Sequence, residues 1–137
     1  MTSDSDLRST WRNAGGEIPD DWDIVPFGSL LENDRAISVG VMYPGDTTVE
    51  GVPMIRVGDV VGGHLVVEPE FRIAEDVNEE HARTILKGDE LLVTLVGSPG
   101  LCVVAEPRMA GWNVARALAV ARLKNPDDRY FVKSVFA

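Results

Sequence analysis

Apolar residues come in short runs along this chain, interrupted every few positions by Gly, Pro, Asn or Asp, and that punctuation predicts strands and turns for much of its length. Residues 1–16, ending Asn13-Ala14-Gly15-Gly16, are polar with no sustained apolar period and read as a flexible N-terminal arm; the domain, 17–137, is expected to begin at Glu17. Pro19 and Pro26 break any long helix between Ile18 and Leu31. An extended entry burying Trp22, Val25 and Phe27, then one short helical turn, is expected there. Ala36 to Met42 is rich in Val and Ile between Asn33-Asp34 and Pro44-Gly45-Asp46, the pattern of a strand followed by a turn.

The strongest β signal runs from Val52 to Val67, where Gly62-Gly63 between two apolar runs predicts a hairpin. Asp76-Val77-Asn78-Glu79 has the spacing of a capping box and predicts a helix of about ten residues that ends at Lys87-Gly88-Asp89. Glu90 to Val96 and Gly100 to Ala105 read as two strands joined by Gly97-Ser98-Pro99. Trp112 to Leu123 is ambiguous: its alanines favour helix, whereas its alternation puts Val114, Leu118 and Val120 on one side as in a strand. Pro126-Asp127-Asp128 signals a final helix over Arg129 to Ala137. Trp22, Ile55, Leu92, Val103 and Leu118 are the expected core.

Composition narrows the class. With 137 residues there is room for one hydrophobic core, and 45% hydrophobic with 26% charged residues is typical of a folded globular domain. The single Cys102 and two histidines exclude an internal disulfide and a Cys/His structural zinc site. Acids at the N-terminus and the lack of a long apolar run imply neither a secretory signal nor a membrane span, so a reducing cytoplasm is expected. A net charge of −9 argues against a nonspecific nucleic-acid binder, yet the charge is uneven. Residues 1–34 hold eight acids and two bases, while residues 101–137 hold three acids and six bases, and ten of the thirteen basic residues are arginine. Residues 101–137 are therefore the expected basic face.

The catalytic inventory is thin. His64 falls in an apolar strand, His81 on a charged helix and Cys102 in a Val-rich run, so a dyad would need three unrelated elements to converge. The acid pairs Glu68/Glu70 and Glu79/Glu80 read as solvated faces. No Gly-rich phosphate loop with Lys-Ser/Thr is present. No enzyme activity, cofactor or metal is expected.

Four motifs in order do stand out: Ile18-Pro19-Asp20-Asp21-Trp22 to Gly28, Gly51-Val52-Pro53-Met54-Ile55-Arg56-Val57-Gly58-Asp59-Val60, Leu86-Lys87-Gly88-Asp89-Glu90 to Gly100, and Asn113-Val114-Ala115-Arg116 to Leu123. In that order and spacing, over residues 17 to 136, the chain resembles the target-recognition domain of type I restriction–modification specificity subunits. The resemblance implies an α/β (α+β) single domain built on a strongly curved β-sheet with peripheral helices, and favours strand over helix for residues 112–123. It implies a non-catalytic module that reads one half of a split DNA target and directs methylation and nuclease subunits to it. Its partners would be double-stranded DNA and those subunits, with a homodimer also open.

Carried over motif by motif, the DNA-binding candidates are Arg56, Thr94, Ser98, Trp112, Asn113, Arg116 and Lys124. Arg pairs bidentately with guanine and Asn with adenine, hydroxyls and turn amides suit phosphate, and Lys attracts phosphate as a point charge. Asn113 and Arg116 stand out because both interrupt an apolar, alanine-rich stretch, where a polar side chain costs stability unless it meets solvent or a ligand. Each candidate has a structural alternative: Arg56 and Arg122 pairing with acids, Thr94 as a β-former, Trp112 as a core or rim aromatic, the Gly97–Gly100 turn as a plain hairpin. The absence of a second recognition domain and of spacer helices suggests a truncated or split subunit. The charge of −9 keeps a second class open, an acidic interaction protein or DNA mimic that binds restriction subunits.

Overall fold

A computed structural model describes residues 26–33, 36–62, 64, 65, 68–97 and 99–136. The expected N-terminal arm, and with it Trp22 and Val25, lies outside the described residues, as do Ser98 and Gly63. The described chain is a mixed α/β structure in which strands dominate. A 3-10 turn over Phe27–Leu30 is followed by β1 (Ile37–Val39), β2 (Val52–Ile55), a 3-10 turn over Val57–Asp59, β3 (Val60–Val61), β4 (His64–Leu65) and β5 (Arg72–Ile73). Helix α1 (Glu75–Glu80), a 3-10 turn over Ala82–Thr84, β6 (Leu91–Thr94), β7 (Cys102–Val104), a 3-10 turn over Pro107–Met109, β8 (Asn113–Val114) and β9 (Leu118–Ala121) come next. A 3-10 turn over Pro126–Asp128 leads into α2 (Arg129–Phe136).

The strands form an antiparallel sheet in the order β1-β9-β6-β7, a three-stranded sheet in the order β5-β2-β8 with β2 and β8 parallel, and the β3–β4 hairpin. None closes into a barrel. Register explains how the core divides. Leu92 opposes Val103 and Val120, and with Leu118 these side chains pack against Ile55, Val114, Leu86 and Met109. One residue along, Leu91 opposes Val104 and Ala121, which with Cys102 pack against Leu31, Leu123 and Val132 of α2. The central strands are thus covered on both faces, with β9 (Leu-Ala-Val-Ala) buried at every position, while Ile37 and Val39 of the edge strand β1 are about half exposed. That resolves the ambiguous segment: a strand covered on both sides reads as a continuous apolar run, and its alanines leave room where elements crowd. Four of the five expected core residues, Ile55, Leu92, Val103 and Leu118, are buried at 3% exposure or less. Removing such a side chain typically costs about 2–5 kcal/mol.

Other expectations are corrected. The predicted ten-residue helix is α1 plus a separate 3-10 turn, broken at His81, whose backbone leaves the helical region (φ −113°, ψ 45°). The His81 carbonyl accepts from the Thr84 N–H (3.2 Å) and hydroxyl (3.3 Å) within the 3-10 turn and from the Asn113 amide (3.2 Å), so a tighter turn and one tertiary contact share it. The capping box does not form: Ala74 is the N-cap with no side-chain cap, and Asp76 accepts from the adjacent Val77 N–H at 2.9 Å. The long strand expected before Gly62 is interrupted at Val57–Asp59, where the Asp59 carboxylate accepts from the Arg56 N–H at 2.8 Å. The final helix is present, introduced by Asn125, whose side chain accepts from Asp127 N–H at 3.2 Å. Val132 packs inward, while Tyr130, Phe131 and Val135 are exposed.

Candidate nucleic-acid interface

Backbone hydrogen bonds gather four loop segments at one end of the sheets. Because β2 and β8 run parallel, with Met54 beside Asn113 and Ile55 beside Val114, both strands release their next residues in the same direction. Arg56 follows one and Ala115-Arg116 the other, and the Ala115 N–H still bonds the Ile55 carbonyl at 2.9 Å. Val41 binds the far side of that turn, its N–H to the Val114 carbonyl at 2.7 Å and its carbonyl accepting from Arg116 N–H at 3.0 Å. On the near side, Leu95 N–H bonds the Ala117 carbonyl at 2.8 Å, which brings in the β6–β7 turn. Gly97 of that turn approaches Val57. Gly40 is required beneath the cluster, since a Cβ there would lie 2.3 Å from the Val114 carbonyl oxygen and 2.4 Å from that of Ala115.

Arg56 and Arg116 stand at this end with two acids nearby: Asp59, and Glu70, which precedes the Phe71 whose carbonyl accepts from the Met54 N–H. Asp59 is engaged with the Arg56 backbone. The Arg56 guanidinium lies 5.0 Å from the centroid of the Phe71 ring, a cation–π contact that steadies the side chain without neutralising it. Arg116 is exposed, and its guanidinium has no hydrogen-bond or ion-pair partner among the described residues. Around them Met42, Tyr43, Leu95 and Val96 are exposed. Sequence reasoning placed Met42, Leu95 and Val96 inside strands, because apolar residues at a strand's end look the same whether the strand continues or opens into a loop.

Other sequence-derived candidates lie elsewhere. Asn113 is fully buried: its amide donates to the Asn78 side-chain oxygen (2.7 Å) and the His81 carbonyl, and its own oxygen accepts from the Thr84 hydroxyl (2.6 Å) and the Val114 N–H (2.9 Å). A side chain with this many internal partners has no free edge for adenine, which corrects its assignment as a base reader. The cost of a polar residue in an apolar stretch was met by buried partners rather than by a ligand. Thr94 is also buried, its hydroxyl oxygen accepting from Leu101 N–H at 3.0 Å to close the β6–β7 turn. Trp112 is half-buried against the core with Arg108 5.8 Å from its ring, at the opposite end of β8 from Arg116. Ser98 belongs to the β6–β7 turn by sequence and lies outside the described residues.

Lys124 is exposed but sits past the far end of β9, at the opposite end of that strand from Arg116. It lines a cavity of about 110 Å³ with Glu32, Lys87, Asp89 and Arg122. Beside that cavity, Glu90 is fully buried: its Oε1 accepts from the Gly88 and Asp89 N–H groups (3.0 Å each) and its Oε2 from the Lys87 N–H (2.8 Å) and the Arg122 guanidinium. Arg122 also donates to the carbonyls of Arg83 (2.8 Å) and Ile85 (3.0 Å). Arg108 pairs with Glu106, and Arg129 donates to the carbonyls of Ala105 and Pro126. The basic excess of residues 101–137 is therefore dispersed over the molecule, which corrects the expectation of one basic face.

Cys102 is buried in the core, and burial pushes its thiol up to about 11, with nearby Lys133 pulling weakly the other way. It is a neutral thiol at ordinary pH. His64 is exposed on β4, and His81 Nδ1 lies 2.8 Å from the Val77 carbonyl. No group of three metal-binding side chains occurs among the described residues. Nor is any described helix long and apolar enough to cross a membrane.

Comparison with known proteins bears on this geometry. The type I restriction enzyme EcoBI specificity subunit of Escherichia coli is 29% identical over 115 residues, 84% of this chain and 23% of the relative. The crystal structure of the HsdS subunit from Thermoanaerobacter tengcongensis superimposes over 95% of this chain with a TM-score of 0.58 at 18% identity. This is a specificity-subunit fold. A chain from a structural study of complex assembly and conformational transition in the type I R-M system matches 97% of this chain, with a TM-score of 0.60 at 18% identity. The chain spans about a quarter of the curated relative and under a third of each solved chain. No protein-family model matches it. The specificity-subunit likeness does not favour the acidic-mimic alternative.

Proposed function

We propose that this chain is a sequence-specific DNA-recognition module of a type I restriction–modification system, acting in the cytoplasm without catalysis of its own. Its partners are double-stranded DNA and the methylation and nuclease subunits that it directs to a target half-site. The observation that carries this reading is that parallel β2 and β8 bring Arg56 beside the turn that carries Arg116, which is exposed and has no hydrogen-bond or ion-pair partner among the described residues. A guanidinium not engaged within the fold keeps its planar donor fork for an acceptor pair such as the guanine O6 and N7 edge. Ser98 stays in the proposal as a phosphate contact on the β6–β7 turn, whereas Thr94, Trp112, Asn113 and Lys124 do not.

Selection from random duplexes, with the chain alone and with a cognate methylation subunit, tests the reading. An enriched motif containing guanine is expected, with affinity falling as salt rises on a slope set by only a few phosphate contacts. Enrichment of no motif under either condition would overturn it.

A further inference from the structure

The arginines do not account for the most unusual surface at this end. Tyr43 is 79% exposed, Val96 56%, Met42 50% and Leu95 44%, on the two segments that flank the Ala115–Ala117 turn by hydrogen bonds to Arg116 and Ala117. The core beneath is complete without them: Val41 is 1% exposed and Leu118 fully buried immediately behind. Leu95 and Val96 stand just past Thr94, whose hydroxyl and backbone bond Leu101 and Gly100, so the base of the β6–β7 turn is braced.

We infer that Met42, Tyr43, Leu95 and Val96 read thymine by contact with its C5 methyl group, beside the guanine contacted by Arg116. The inference rests on the DNA-recognition reading and deepens it. The thymine methyl is the apolar group that a base pair displays on its edge, and it is displayed in the major groove, which is wide enough for a two-stranded ribbon such as the β6–β7 hairpin. Charge selects duplex DNA over a protein face. The exposed Arg116 is flanked by the two apolar segments and has no ion-pair partner among the described residues, an arrangement matched by a groove flanked by phosphates and presenting methyls and guanine acceptors. Two outcomes follow: recognition is confined to the major groove, and the half-site places thymine next to guanine.

The test alters the DNA first. In the duplex selected above, each thymine is replaced in turn by deoxyuridine, which keeps the base pair and removes only the methyl. At one or more positions beside the guanine, affinity should fall roughly fourfold, the equivalent of one buried methyl group. A Leu95→Ser/Val96→Ser chain with an unchanged melting temperature should bind thymine and uracil duplexes equally. Equal binding of both duplexes by the unaltered chain at every position, or an enriched motif without thymine, would overturn the methyl contact and leave the DNA-recognition reading standing. Loss of methylation-subunit binding in the double variant, with uracil tolerated throughout, would also overturn it and assign the patch to a protein partner. Failure to enrich any motif is the separate result that removes the parent reading.

Discussion

The two ends of the four-stranded sheet use charge in opposite ways. At the end where β9 finishes, Arg122 is spent: it holds the buried carboxylate of Glu90 and two carbonyls, while three backbone N–H groups complete the shell around that carboxylate. At the end where β9 begins, Arg116 has no hydrogen-bond or ion-pair partner among the described residues, and the Arg56 guanidinium lies over the Phe71 ring. The same residue type, six positions apart in one segment, is structural in one place and available in the other. The difference lies in what surrounds each guanidinium. A charge that reaches fixed carbonyls and a carboxylate is satisfied within the fold, whereas one carried on a turn beyond the last strand residue keeps its hydrogen-bonding capacity for a ligand.

The largest expected effect comes from breaking the first end. Glu90→Ala leaves Arg122 and three amides without their acceptor and should destabilise the fold by about 3–5 kcal/mol, read by urea denaturation. A loss below about 1 kcal/mol would mean that the buried pair is not the clasp described here. Next comes Asn113→Ala, which strips partners from Asn78, Thr84 and the His81 carbonyl and should cost about 2–3 kcal/mol of stability. Base preference of the folded fraction should stay as it was. A relaxed preference at one base with an unchanged melting temperature would return Asn113 to the reading surface.

Arg116→Ala sharpens the comparison from the other end. It should cost about 1–3 kcal/mol of binding on the selected site and relax preference at one position, with stability changed by less than about 0.5 kcal/mol. The readout is a pair of binding curves on matched and mismatched duplexes beside a melting curve. The smallest effect is expected for Lys124→Ala. Its charge sits by the cavity at the spent end, so both stability and DNA affinity should move by less than about 0.5 kcal/mol. Equal losses of affinity for Arg116→Ala and Lys124→Ala would erase the distinction between the two ends.

Much of the fold was legible in local pattern. The runs Leu91–Thr94 and Cys102–Val104, the Gly62-Gly63 hairpin and the Pro126 helix start all appear where apolar periodicity and turn residues put them, because these signals act over a few residues. The helix after Ala74 was less legible, since its break at His81 serves Asn113, thirty-two residues away. The candidate site was legible in part. Arg56 and Arg116 were marked by their motifs, but nothing local separates Arg116, which faces outward, from Asn113, three residues earlier, which is sealed in the core.

Sequence alone determined that the chain is strand-rich, because alternation, glycine turns and proline breaks are properties of neighbouring residues. It also carried the likeness to specificity subunits, since motif order survives where overall identity is low. Tertiary structure decided which polar residues were consumed and which were left over. Parallel pairing of β2 with β8 set Arg56 beside the Arg116 turn, and the length of β9 sent Lys124 to the opposite end. Whether a polar side chain is a structural clasp or an available contact depends on partners brought from distant positions by the packed sheets, so no reading along the chain could assign it.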